Sequence, residues 1–188
     1  FVLRDLARLG RRPIFLAGFS LGGNVVLKLA GELGENGAAL IAGVCAVSTP
    51  IDLAACCARL ARWDNRIYER RFVLRMRRRL RATGRYRPQD LAGLRSVRDI
   101  DDRITAPAFG FRNAAHYYET QSAARYLDRI RVPALVIQAQ DDPIIPFETY
   151  NHPAFQYNPF LTLLAPRHGG HVAFLARGRC RAGSVTAA

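Results

Sequence analysis

The stretch Pro13-Ile14-Phe15-Leu16-Ala17-Gly18-Phe19-Ser20-Leu21-Gly22 carries the decisive reading. A short apolar run ends in Gly-x-Ser-x-Gly and passes straight into a helical pattern, which is the strand-turn-helix context of a nucleophile elbow. The two glycines answer a steric need. A turn this tight has no room for side chains beside the serine, and the hydroxyl is pushed out beyond the end of the strand. Ser20 also opens the next helix, so free N–H groups and the positive end of the helix dipole face the place where an oxyanion would form. The N–H of Leu21 is the expected oxyanion donor.

Such an elbow demands an acid and then a histidine, in that order, each after a later strand. The acid candidate follows the β-rich run Pro133-Ala134-Leu135-Val136-Ile137-Gln138-Ala139. Asp142, just before Pro143, stands at the start of a turn beyond the strand end and is preferred; Asp141 competes with it but is better placed to cap the turn. The base candidates are His168 and His171, after the run Phe160-Leu161-Thr162-Leu163-Leu164-Ala165. His171 is preferred, because Gly169-Gly170 frees the loop before it and an apolar stretch anchors the chain after it. His116 and His152 read as ordinary surface or core histidines.

Around these residues the elements alternate. A helix over Phe1–Gly10, with Leu3, Leu6, Ala7 and Leu9 as its apolar set, precedes the elbow strand. A helix Leu21–Leu33, a strand near 41–47, a long helical stretch, a strand over 134–139 and a strand over 160–165 follow. This order produces a parallel sheet flanked by helices. Amphipathic spacing marks Asp52–Trp63, Ile67–Ala82 and Ala114–Tyr126 as helices of an insertion over about 50–130. In a hydrolytic enzyme an insertion there builds a cap over the active site and sets substrate access.

Gly18-Phe19-Ser20-Leu21-Gly22-Gly23-Asn24, Asp141-Asp142-Pro143 and His168-Gly169-Gly170-His171-Val172 together resemble the YheT-type branch of the α/β-hydrolases, related to the eukaryotic ABHD1/2/3 lipases and esterases. The middle segment Asp101-Asp102-Arg103-Ile104-Thr105-Ala106-Pro107, then Gly110-Phe111 and His116-Tyr117-Tyr118, is similar as well. The resemblance implies an α/β-hydrolase fold and a serine hydrolase acting on carboxylic esters, with Ser20, Asp142 and His171 as its triad. Short or medium-chain acyl esters, or acylglycerols, are the implied substrates. No cofactor and no metal is implied. Thioesterase or acyltransferase chemistry on the same triad is the nearest enzymatic alternative, and a catalytically inert scaffold is the alternative outside enzymes.

The pattern departs from the family at both ends. A complete member carries strands before the elbow, including a His-Gly loop that supplies the second oxyanion donor. Here the chain opens on Phe1, and its tail over about 177–188 lacks apolar period. The expectation is therefore a partial domain spanning 1–188, with an edge strand and a sheet face left open to association.

At 188 residues and 49% hydrophobic content the sequence is one globular domain's worth. Four cysteines show neither metal spacing nor a disulfide framework, which fits a reduced, cytoplasmic protein. The net charge of +13 is concentrated in residues 59–103, which hold fifteen arginines against six acids. Lys28 is the only lysine, a bias that fits genome base composition better than selected phosphate contacts, so nucleic acid is disfavoured as a partner. Arg75-Met76-Arg77-Arg78-Arg79 reads first as a solvated helix face. Weak contact with an anionic membrane surface, or with a negatively charged substrate, is the sharper alternative.

Overall fold

In the computed structural model, which describes residues 1–175, four strands form one parallel sheet in the order β1-β2-β3-β4. They are β1 (Phe15–Phe19), β2 (Gly43–Val47), β3 (Ala134–Ile137) and β4 (Leu161–Leu164). Register brings Phe19 beside Val47, Val47 beside Ile137 and Ile137 beside Leu164. All four carboxyl ends therefore lie along one edge, and the loops that follow them open on the same side. In an open α/β sheet this is where ligands bind.

Alternation along the strands divides the sheet faces. Val44, Ala46, Ala134, Val136 and Leu161 point to one side and join Leu27, Ala30, Leu127, Ile130 and Val132 in the main core. The helix on that side is α2 (Leu21–Leu33), which runs directly out of β1 and packs against a 3-10 segment, Ala123–Arg129. The approach is close: a Cβ on Gly31 would stand 2.4 Å from the carbonyl oxygen of Tyr126. On the opposite face Phe15, Phe19, Leu135 and Leu164 are 69%, 58%, 37% and 54% exposed among the described residues. Parallel sheets normally bury both faces; among the described residues these four apolar side chains are left uncovered on this one.

The first helix, α1 (Val2–Arg8), leans Leu3 onto the main core. Leu9, expected in its apolar set, is instead exposed, because the helix ends before it and the chain turns toward β1. The elbow strand sits two residues later than the apolar run alone suggested, so it delivers Ser20 at its very end.

Between β2 and β3 the chain is helical. Helix α3 (Leu53–Leu60) starts at Asp52, whose Oδ1 accepts from the Ala55 N–H at 2.9 Å. Helix α4 (Arg66–Ala82) buries Val73 against Leu91, Leu94, Ile100 and Ile104 in a second small core. The short helices α5 (Pro88–Leu91) and α6 (Val97–Ile100) supply the other side of that core with Leu94 between them and Ile104 after them, and the short α7 (Ala106–Ala108) follows. Helix α8 (Ala114–Gln121) joins α3 through Leu53, Cys57, Ala114 and Tyr118. The single helix expected over 114–126 is broken at Ser122. Its hydroxyl donates back to the Tyr118 carbonyl at 2.6 Å and accepts from the Leu53 N–H at 3.0 Å, so the backbone turns there into the 3-10 segment. Helix α9 (Ala154–Tyr157) leads into β4.

Candidate active site

Ser20 is the residue between β1 and α2, at φ 51 and ψ −126. An L-residue pays conformational energy at positive φ, and such strain persists where the surroundings over-determine the turn. Here they do. The Ser20 N–H donates to the Val47 carbonyl at 2.8 Å, and a Cβ on Gly18 would lie 2.2 Å from the Gly22 carbonyl oxygen. The outcome is a serine held rigidly at the sheet edge as the N-cap of α2, with no side-chain capping bond to occupy its hydroxyl.

Asp142 comes from the loop after β3, and its side chain is fully buried. Its Oδ1 accepts from the N–H groups of Ile144 at 2.9 Å and Ile145 at 3.1 Å. Its Oδ2 accepts from Gln138 Nε2 at 3.1 Å and lies 2.9 Å from His171 Nδ1. The Gln138 amide is itself fixed in orientation, because its Oε1 accepts from the Thr49 N–H at 3.1 Å and its Nε2 also donates to the Ala139 carbonyl at 3.1 Å, with the Tyr150 hydroxyl, which donates to the Thr49 carbonyl, alongside. Every oxygen lone pair that Asp142 directs inward thus meets a donor, the environment a buried carboxylate requires.

His171 comes from the loop after β4. Its Nε2 stands 3.1 Å from Ser20 Oγ, so an unbroken hydrogen-bonded line runs from the serine hydroxyl through both ring nitrogens to Asp142. The loop that carries it is held from both ends. On one side the Asp141 carboxylate accepts from the N–H groups of Gly169 at 3.0 Å and Gly170 at 2.8 Å and lies 3.1 Å from His168 Nδ1. These contacts, the Gly170 N–H first, hold the Asp141 carboxyl below the usual carboxylate range. On the other side the Val172 N–H donates to Ser48 Oγ at 3.1 Å, with Val172 and Ser48 themselves at φ 60 and φ 48. Positive φ at a β-branched valine is a costly conformation, and it lies next to the histidine.

The structure therefore brings Ser20, Asp142 and His171 together and leaves Asp141 and His168 paired with each other beside them. Leu21 opens the first turn of α2 next to Ser20 and is half exposed. His116 and His152 serve local turns, each accepting a backbone N–H through Nδ1. The residues not anticipated from sequence are the supporting ones: Gln138, Tyr150, Ser48 and Thr49. A polar Gln138 ending an apolar strand was the one available signal.

Ser20 and His171 face a cavity of about 200 Å³ whose walls are mostly apolar, including Leu53, Leu60, Phe72, Met76 and Ile145. Two buried polar side chains, Cys56 and Asp101, also line it. Burial pushes the Cys56 thiol up to about 12, and burial likewise raises the Asp101 carboxyl, which accepts from the Tyr118 hydroxyl at 2.7 Å. Among the described residues, no cluster of His, Cys, Asp and Glu is arranged to hold a metal ion, and no helix is long and apolar enough to cross a membrane.

Comparison with known proteins gives a consistent picture. The family model described as the alpha/beta hydrolase family matches residues 1–182. YheT of Escherichia coli K12 is 36% identical over 184 residues, covering 92% of this chain and 52% of that protein. A monoacylglycerol lipase of Saccharomyces cerevisiae is 32% identical over 93% of this chain and 41% of its own length. The human monoacylglycerol lipase ABHD2 is 31% identical over 86% of this chain and 42% of its own length. The chain thus spans about half or less of the curated relatives it matches. Among solved structures, a monoacylglycerol lipase of Paleococcus ferrophilus superposes with a TM-score of 0.51 at 18% identity, over 90% of this chain and 63% of that one. That likeness speaks to the fold.

Proposed function

The chain belongs to the alpha/beta hydrolase family, and from that premise we propose that it hydrolyses carboxylic esters by a Ser20–His171–Asp142 relay. The observation that carries the reading is the continuous line from Ser20 Oγ to His171 Nε2 at 3.1 Å and from His171 Nδ1 to Asp142 Oδ2 at 2.9 Å. Ser20 Oγ attacks the ester carbonyl carbon while His171 Nε2 takes its proton. Asp142, acceptor at Nδ1, fixes the tautomer that leaves Nε2 free to do so and stabilises the imidazolium that results. The imidazolium then passes the proton to the leaving alcohol oxygen, and an acyl-serine remains. Water, deprotonated by the same histidine, releases the carboxylic acid and restores Ser20. The N–H of Leu21, at the positive end of α2, serves as an oxyanion donor.

The apolar cavity beside Ser20 takes the acyl chain. Its lining from α3, α4 and the segments around α6 and α8 makes the helices between β2 and β3 the cap that decides which acyl chains enter. The relatives named monoacylglycerol lipase support acylglycerols as the substrate class.

The test is direct. A fluorophosphonate probe should label the purified protein at Ser20, and p-nitrophenyl butyrate should be turned over, both being lost in Ser20→Ala. Labelling elsewhere, or turnover that survives the substitution, refutes the assignment.

A further inference from the structure

His171 is shared by two chambers. One is the apolar cavity that also contains Ser20 and Leu21; the other, of about 400 Å³, contains His171 but not the serine, and lies on the far side of Phe72 and Ile144. The chemistry of the wall changes across that divide. Helix α4 presents Tyr68, Arg71, Phe72, Arg75 and Met76 along one face, at the i, i+3, i+4, i+7, i+8 spacing that aligns side chains. Met76 lines the apolar chamber, Phe72 separates the two, and Arg71 and Arg75 line the second. No carboxylate is among the residues lining that second chamber, and neither arginine makes an ion pair with a described residue. Two guanidinium groups one helical turn apart thus face an open space beside the proton-carrying histidine, with no partner of opposite charge among the described residues.

The direction of the reaction assigns the chambers. The acyl carbon bonds to Ser20, and its oxyanion turns toward Leu21, so the acyl half occupies the apolar side. The leaving oxygen must receive its proton from His171 Nε2, so the alcohol half departs past the imidazole into the basic side. On this basis, which rests on the proposed ester hydrolysis, we propose that the preferred substrates are acyl esters whose alcohol carries an anionic group, a phosphate monoester above all, bound between Arg71 and Arg75. Guanidinium forks match phosphate oxygens bidentately, and two of them at i, i+4 can embrace one phosphate. The balanced reaction is acyl ester plus water giving a carboxylic acid and the phosphorylated alcohol, with the phosphate untouched. Tyr68 and Phe72 contact the carbon skeleton between ester and phosphate.

The experiment compares butyrylglycerol with butyrylglycerol 3-phosphate, both monomeric in solution, on the purified protein. The phosphate ester is expected to show a kcat/KM about tenfold or more above the neutral one, expressed mainly in KM. The double variant Arg71→Gln/Arg75→Gln should lose that preference while hydrolysing the neutral ester within about twofold of the parent, and Arg71→Lys/Arg75→Lys should keep part of it. Glycerol 3-phosphate should inhibit the parent competitively and the Gln variant far more weakly. Equal kcat/KM for the two esters in the parent, or a preference that survives the Gln variant, overturns the inference and leaves the ester-hydrolase reading standing. A preference seen only with long-chain substrates packed in vesicles also overturns it, since the arginines would then attract a lipid surface rather than bind a substrate. If the folded protein turns over neither ester, the reading of ester hydrolysis fails and the inference falls with it.

Discussion

Replacing Asp142 by Asn changes one atom and should cost about four orders of magnitude in turnover. The two N–H groups of Ile144 and Ile145 both point at Oδ1, so the asparagine must place its oxygen there. Its Nδ2 then occupies the Oδ2 position, facing Gln138 Nε2 and His171 Nδ1. Gln138 cannot turn its amide to accommodate, because its Oε1 is committed to the Thr49 N–H and its Nε2 to the Ala139 carbonyl. Two donors therefore oppose each other in a buried site, and His171 is driven to the tautomer in which Nδ1 accepts and Nε2 carries the proton. An imidazole protonated at Nε2 cannot take the Ser20 proton. In Ser-His-Asp enzymes the wrong tautomer costs about 10⁴ in kcat, equivalent to about 5.5 kcal/mol of barrier. The opposed donors add a destabilisation of about 1–3 kcal/mol, visible as a fall in Tm of roughly 2–10 °C. Asp141→Asn is the control. An asparagine oxygen can still accept from Gly169 and Gly170 and loses only the contact with His168, so turnover should fall by about tenfold or less. Hydrolysis of p-nitrophenyl butyrate together with thermal denaturation would measure both. An Asp142→Asn protein within tenfold of the parent, or two variants equally impaired, would refute the division of labour argued here.

Ser20→Ala should leave no more than the residual rate of about 10³–10⁴ over water that binding and oxyanion donors provide, read by the same ester assay. His171→Ala should cost at least a hundredfold more than His168→Ala, since the His168 side chain is 88% exposed and bonds only to Asp141; equal losses would remove His171 from its assigned role. Asp141 has a depressed carboxyl in the folded state, so its contribution to the loop is present above the ordinary Asp range near 4 and is lost as pH falls through its lower folded value; the parent should therefore lose loop order at acid pH in a way that Asp141→Asn does not, followed by hydrogen exchange at residues 168–172. Cys56, pushed up to about 12, should resist iodoacetamide at pH 8 in the folded protein and react once it is unfolded, as peptide mass mapping would show.

The parts of the fold and site that the sequence made legible share one property, which is locality. Ser20 is recognisable because strand, glycine turn and helix are contiguous, and the steric need for Gly18 is met by Gly22, four residues away. Asp142 and His171 are recognisable because each follows its own strand, and a parallel sheet in register carries the ends of those strands to one edge. Within the pairs, preference rested on turn chemistry, and the separation observed has a simple cause: Asp142 turns inward onto Ile144 and Ile145 N–H, while Asp141 turns outward onto the glycines that carry His168.

What escaped the sequence depends on contacts between segments far apart in the chain. Gln138 orients Asp142 because Thr49, from the loop after β2, holds its Oε1, and Thr49 is in turn bonded to Tyr150, from the turn before α9. Ser48 holds the histidine loop from 124 positions away. The same holds for the arginines. The run Arg75-Met76-Arg77-Arg78-Arg79 reads as a solvated helix face, and Arg78 and Arg79 are indeed exposed. The helix is rotated by Val73, which must enter the small core of Leu91, Leu94, Ile100 and Ile104. Once that face is fixed, the 3.6-residue period places the exposed Arg71 and Arg75 along the chamber beside His171, while the equally exposed Arg70, Arg78 and Arg79 do not line it. A hydrophobic residue in a minor core thus decides which two of many identical charges line the chamber beside His171. That is why charge composition alone raised anion contact as an alternative without saying which arginines would make it.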